Sequence, residues 1–204
     1  MEHFDKIANM IALTMGASWA SGLNLYAAVL MLGVLGMTGN IALPPDLQIL
    51  SNPLVVSAAG LMYIVEFFAD KVPGVDTGWD ALHTFIRIPA GALLAMGAVG
   101  DVNEGVSIAA ALLGGTMAAG THAAKAGTRL MINTSPEPFT NWIASFSEDL
   151  AVIGGLWVAL HYPVFFIILL ILFILMIITL LPKIWQGIRR IFETVFGQKR
   201  VRET

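Results

Sequence analysis

Apolar residues run in long uninterrupted stretches, and the polar residues gather in the gaps between them. Ala8 to Gly36 is nearly 30 residues without a charge, longer as a helix than the roughly 30 Å hydrocarbon core it would cross. It must tilt, protrude or break, and the natural break is Gly16-Ala-Ser-Trp-Ala-Ser-Gly22, followed by the amide Asn24. A loop over 37–52 contains Pro44-Pro45 and no Lys or Arg. Pro53 opens a second run to about Phe68, proline being well suited to a helix's first turn. A short third run spans Ile88 to Gly100, and Asp101 to Glu104 forms a polar turn. Gly105 to about Arg129 is a fourth run, and Ile132 to Ser147 a Pro- and Ser-rich connection. Glu148 to Leu160 is a short fifth run and Pro163 to Leu181 the sixth. The pattern predicts an all-α polytopic membrane protein with about six transmembrane segments, one transmembrane domain over 1–182.

After Pro182 the pattern changes. Ile184, Trp185, Ile188, Ile191, Phe192, Val195 and Phe196 recur at helical spacing, with Lys183, Gln186, Arg189, Arg190 and Glu193 on the other face. Residues 183–204 are therefore expected to form an interfacial amphipathic helix and basic tail, with Lys199, Arg200 and Arg202 near anionic lipid.

Composition sharpens this. The 204 residues are 57% hydrophobic and 12% charged, about half the charged share of a soluble domain. No cysteine is present, which excludes disulfides and thiolate chemistry. The N-terminal apolar run is too long for a signal-peptide core and is expected to remain. The last 22 residues hold six of the eleven Lys and Arg. With the N-terminus inside, Lys6, Lys71, Arg87, Lys125, Arg129 and the basic tail all fall on the cytoplasmic side, and the loops at 37–52, 101–104 and 161–162 carry no Lys or Arg. Both termini are thus expected in the cytoplasm.

Comparing the two halves suggests a repeat. GASWASGLNLYAA (Gly16 to Ala28) lies over GGTMAAGTHAAKA (Gly114 to Ala126), and AAGLM (Ala58 to Met62) over IGGLW (Ile153 to Trp157). Repeats of three spans, about 8–100 and about 105–182, would be inverted, an arrangement recurrent in transporters whose sites lie between Gly-interrupted helices.

The candidate chemistry concentrates in EFFADKVPGVDTGWDALHTFIR, Glu66 to Arg87. Asp76, Asp80, His83 and Arg87 share one helical face, opposite Leu82, Phe85 and Ile86. The fourth run adds His122, Lys125 and Arg129, on one face with Ala118. Ionisable groups at membrane depth cost several kcal/mol unless paired or hydrated, so Glu66, Asp70, Asp80 and His83 are candidates to handle protons or cations. Arg87, His122, Lys125 and Arg129 are candidates to hold an anionic group, and Asn24 to line the path. The bland alternative makes these charges topology markers and ion pairs within helices. Asp76, Asp80 and His83 are also the one weak candidate set for a hard divalent cation, disfavoured by nearby Arg87 and Lys71. No Gly-rich phosphate loop, H-E-x-x-H or G-x-S-x-G occurs, so no enzyme activity and no cofactor are expected.

ASWASGLNLYAA, EFFADKVPGVDTGWD with HTFIR-P-AGALLA, and GGTMAAGTHAAKAGTR with N-x-SPEP resemble a group of small bacterial inner-membrane proteins known only as a domain of unknown function. The resemblance covers most of 10–160 and implies a bacterial multi-span protein of the inner membrane, without substrate or site residues. The functional expectation rests on the residues themselves. It is a small transporter or channel, proton-coupled through its carboxylates, for an ion, anionic solute or lipid headgroup. The alternatives are a membrane adaptor that binds lipid, and an intramembrane enzyme using Asp76, Asp80 and His83. The expected partners are the bilayer and its anionic lipids and a small ion or solute, with no nucleic acid. The small-residue faces suit a homodimer as well as internal packing.

Overall fold

The structure is a computed structural model that describes residues 2–100, 102–134 and 138–201, with side chains described for 2–100, 102–134 and 139–190. Those residues form six α-helices: α1 (Glu2–Met37), α2 (Pro53–Ala69), α3 (Val75–Val99), α4 (Glu104–Ile132), α5 (Pro138–His161) and α6 (Pro163–Val201). A short 3₁₀ helix, Pro45–Ser51, precedes α2 at a bend of 65°. α1 and α3 to α6 are each long and apolar enough to cross a membrane, and the bent pair makes a sixth candidate. The chain is thus an all-helical, polytopic protein.

Helix boundaries follow local chemistry. Asn52 Oδ1 accepts from the Leu54 amide at 2.9 Å, with Pro53 behind it, to start α2. Asn103 does the same for α4 through Val106 N at 3.0 Å. At α3, Gly74 adopts φ 85°, and Asp76 Oδ1 accepts from the amides of Gly74 and Thr77. Two expected boundaries move. The third run is the second half of a single helix that passes through Pro89, because a proline removes one backbone hydrogen bond without ending the apolar face on either side. The connection placed at 132–147 is mostly the first part of α5.

α1 does not run straight. Asn24 has extended backbone angles, φ −147° and ψ 97°, between two helical halves. Its Oδ1 accepts from Ala27 N at 2.9 Å, capping the second half, while the Leu23 carbonyl at the end of the first half accepts from Lys125 Nζ at 3.0 Å. The packing shows that the second half turns back. Ser18 Oγ bonds Gly91 O at 2.9 Å and Ser21 Oγ bonds Arg87 O at 3.0 Å, so the first half runs antiparallel to α3. Past the break, Gly33 packs on Leu50 and Val56, and Leu47 of the same 3₁₀ segment packs on Gly97. A straight α1 would carry Gly33 roughly 22 Å beyond Ser18, away from Gly97. α1 is therefore a helical hairpin with its tip at Asn24.

From there α2 to α6 pass through the bundle in alternating directions. α5 descends beside the first half of α1, with Asp149 at Asn24, Gly155 against Trp19 and Ala159 against Gly16. α6 returns, Phe166 lying at Gly16 and Ile184 at Gly127. The N-terminal end of α1 shares one end of the bundle with the loop at 38–52, with residues 100, 102 and 103 and with Tyr162, none of them Lys or Arg. The turns beginning at Asp70 and Asn133, and the far end of α6, lie at the other. The N-terminal end of α1 and the far end of α6 thus lie at opposite ends of the bundle, because the reversal at Asn24 turns α1 back on itself.

The repeat comes out mixed. α2 runs opposite to α5 and α3 opposite to α6, as an inverted pair requires. The aligned glycine segments do not: Ser18 faces Gly114 and Gly22 faces Ala118 and Thr121, so the first half of α1 runs with α4. α4 is also unbroken.

Polarity is inside out. On α3, Leu82 and Phe85 are 68% and 82% exposed, while Asp80 and Arg87 are 1% and 0%. Apolar surface faces lipid and charge faces the bundle interior. α6 continues through Pro182 as one helix, so the expected interfacial helix is its extension. The side chains of Ile191, Phe192, Val195, Phe196, Lys199 and Arg200 lie outside the described residues, as does Arg202 entirely.

Candidate functional site

The hairpin tip meets a buried ion network built from α2, α3, α4 and α5. Arg87 stands at the middle of α3, twelve residues from each end. Its Nη2 pairs with Glu66 Oε1 and its Nη1 donates to Asp80 Oδ1 at 3.0 Å. Nη1 also lies 3.0 Å from His122 Nδ1. A guanidinium can only donate, so Nδ1 accepts and the proton sits on Nε2. Nε2–H donates to Thr84 Oγ1 at 2.7 Å, and that hydroxyl donates to Asp80 O at 3.0 Å. His122 is thus a neutral imidazole that orients Arg87.

Lys125 lies at the centre. Its Nζ is 2.9 Å from Asp70 Oδ2, 3.0 Å from Leu23 O, 3.4 Å from Glu66 Oε1 and Glu148 Oε2, and 3.7 Å from Asp80 Oδ1. Arg129 closes the side nearer the turns. Its Nε and Nη2 fork onto Glu148 at 3.2 and 2.8 Å, and its Nη1 donates to the carbonyls of Asp70 and Asn141. Such bidentate pairing suits a buried guanidinium. Glu66, Arg87, Lys125 and Arg129 have fully buried side chains, and Glu148 is 15% exposed, the network's most accessible member.

Four carboxylates, Glu66, Asp70, Asp80 and Glu148, therefore meet three cations, Arg87, Lys125 and Arg129, one positive charge short of balance. Glu66 Oε2, Asp70 Oδ1 and Asp80 Oδ2 are moreover buried without a hydrogen-bond partner. Buried carboxylate oxygens are expensive to leave so.

Of the residues predicted from sequence, Glu66, Asp70, Asp80, Arg87, His122, Lys125 and Arg129 gather in this network, and Asn24 sits at its edge, donating to Asp149 Oδ1 at 3.1 Å. Two stand apart. Asp76 accepts from Asn133 Nδ2 at 2.8 and 2.9 Å and caps α3, a fastening role. His83 donates from Nδ1 to Trp79 O at 2.8 Å, stacks on Trp79 and meets the Tyr26 hydroxyl at 3.0 Å. Asp76, Asp80 and His83 thus turn to different partners, and among the described residues no three His, Cys, Asp or Glu are placed to hold a metal ion.

Sequence reasoning missed the α5 contribution. Asn141, Ser145, Glu148 and Asp149 recur at helical spacing and all face inward, but Asn141 and Ser145 fall in the Pro- and Ser-rich segment read as a connection, and Glu148 and Asp149 open the fifth run without an assigned role. Ser145 Oγ accepts from Lys71 Nζ at 3.2 Å; Lys71, in the turn after α2, also bonds Phe67 O and lies 2.9 Å from the Phe67 ring centroid. Burial pushes the Lys71 ammonium below its ordinary pKa, against the opposing pull of Asp149 and Asp70.

Two cavities, of about 290 and 200 Å³, lie elsewhere, between α1, α4 and α6 and around Trp19 and Phe166, and no charged residue lines either.

Residues 11–183 match the family described as Domain of unknown function (DUF4126), and the chain belongs to that family. No curated protein and no solved structure matches it.

Proposed function

We propose that this protein is a small transporter or channel for cations or protons, with its ion site at the tip of the α1 hairpin. The observation that carries the proposal is the charge count: a buried network one positive charge short, with three carboxylate oxygens lacking partners. Keeping such groups at membrane depth is costly, and its usual return is ion handling. The broken helix adds support, since discontinuous helices expose backbone carbonyls to transported cations, and Leu23 O already faces an ammonium here. An anionic solute fits less well, because Arg87, Lys125 and Arg129 are all engaged by carboxylates. Asp76, Asp80 and His83 do not converge, so the proposal includes no catalytic step.

The proposed setting is the bacterial inner membrane, with the turns beginning at Asp70 and Asn133 and the basic C-terminal segment in the cytoplasm. The second reading, a non-transporting adaptor, is favoured by the enclosure of the network and the apolar lining of both cavities. Reconstituted vesicles separate the two. Transport predicts proton or monovalent-cation flux from the wild-type protein, reduced at least tenfold in Glu66→Gln or Lys125→Ala protein that still inserts and folds. Flux at the level of empty vesicles across a panel of cations and pH gradients would leave the adaptor.

A further inference from the structure

Lys125 makes three hydrogen bonds, to Leu23 O, Glu66 Oε1 and Asp70 Oδ2, inside a wider shell of carboxylates. An ammonium carries three N–H donors, yet five oxygens lie within 3.7 Å of Nζ: those of Asp70, Leu23, Glu66, Glu148 and Asp80. They come from the hairpin tip, α3, α5, α2 and the turn that follows it, so the shell closes around the nitrogen from several sides. The three donors are thus matched by three hydrogen bonds, and the Glu148 and Asp80 oxygens, which also accept from Arg129 and Arg87, add ion-pair contacts around the same charge. The shortest distances, 2.9 and 3.0 Å, also define the size of the occupant. They exceed the roughly 2.0–2.6 Å of magnesium or calcium coordination, which excludes a small divalent ion at this spacing.

We propose that this cage is a binding site for a monovalent cation of ammonium size, and that the Lys125 ammonium occupies it as a tethered stand-in. The cage holds one such charge at a time, Lys125's or the ligand's. The network is one positive charge short with Lys125 in place, and two short when the ammonium is withdrawn. That deficit draws the free cation in, and return of Lys125 expels it. The second oxygens of Glu66, Asp70 and Asp80, on residues 0%, 3% and 1% exposed, are buried without hydrogen-bond partners, so these carboxylates have acceptor capacity that Lys125 does not use. The inference builds on the transport reading by naming the ligand class, but the site is testable without flux.

The test uses the full-length protein in detergent and thermal unfolding in potassium, ammonium or choline chloride at equal ionic strength. Lys125→Met protein should show a saturable rise in Tm of about 5 °C or more with potassium or ammonium and none with choline. The wild-type protein, its cage already filled, should give the same Tm in all three salts. A Lys125→Met protein that responds to potassium and ammonium no more than to choline overturns the proposal. An equal response in wild type does so too, since binding would then lie elsewhere. If Lys125→Met folds in none of the salts, Lys125→Met/Glu148→Gln, which restores the wild-type net charge, decides by the same criterion. Cation binding without flux in vesicles would leave the site standing and remove the transport reading, and flux without binding would do the reverse.

Discussion

Arg87 shows how much of this fold's stability hangs on pairing and how little on charge as such. Its guanidinium is fully buried and offsets two carboxylates, Glu66 and Asp80, that are equally out of reach of water. Removing one member of a buried ion pair leaves its partner uncompensated, at a cost of about 3–5 kcal/mol, whereas removing both is much milder. Arg87→Met is therefore expected to lose stability on that order, and Glu66→Gln/Arg87→Met to lose clearly less than the sum of the two single changes. Unfolding of the four proteins in one detergent gives the coupling directly. Strict additivity would mean that the two side chains do not stabilise each other. His122 belongs to the same unit: as a neutral ring accepting from Arg87, it positions the guanidinium without adding a charge.

Among the elements, the α1 hairpin depends on close approach to α4 at Gly22. A Cβ there would lie 2.6 Å from Ala118 O and 2.7 Å from Thr121 Cβ, with backbone on one side that cannot yield. Gly22→Ala is expected to destabilise by about 1–3 kcal/mol through overpacking. Gly120, on α4 itself, has nothing within 4 Å of such a Cβ, and Gly120→Ala should be neutral or stabilise by up to about 1 kcal/mol through helix propensity. Equal Tm shifts in the two variants would remove the close-packing account. The sequence made the break itself legible, since small residues before a lone Asn in a 29-residue uncharged run mark where a helix can stop. The reversal was not legible. Hydropathy is blind to direction, and a hairpin and a kinked span have the same apolar length. The face formed by Asp80 and Arg87 was readable from helical spacing, as were Lys125 and Arg129. Glu148 was placed at the start of the fifth run but given no role, because Pro136, Pro138 and a scatter of serines masked the helical turns before it, whose inward face is polar and whose outer face continues through Phe146, Leu150 and Ile153. Which carboxylate meets which cation depends on how four helices pack, and no one-dimensional pattern holds that.

For the whole molecule, the hairpin changes what the distribution of positive charge implies. With α1 returning to the end where it started, Lys6 joins the loop at 38–52, residues 102 and 103 and Tyr162, while Lys71, Arg129 and the start of the basic C-terminal segment lie at the opposite end. On the proposed orientation, with the more basic end in the cytoplasm, the N-terminus is expected outside. The naturally cysteine-free chain allows a direct check. Single cysteines replacing His3, Asn40 and Thr134, all exposed, can be probed with an impermeant thiol reagent in sealed vesicles of known orientation. His3→Cys and Asn40→Cys are expected to react from the same side, and Thr134→Cys only from the other. Labelling of His3→Cys and Thr134→Cys from one side, with Asn40→Cys opposite, would mean that α1 crosses the membrane, and the reversal at Asn24 would have to be abandoned. The expected pattern would place the carboxylate cage at the inner end of a re-entrant hairpin, between an external N-terminus and a basic cytoplasmic face. Glu148, the most exposed member of the network, is then where the proposed cation site lies nearest to solvent.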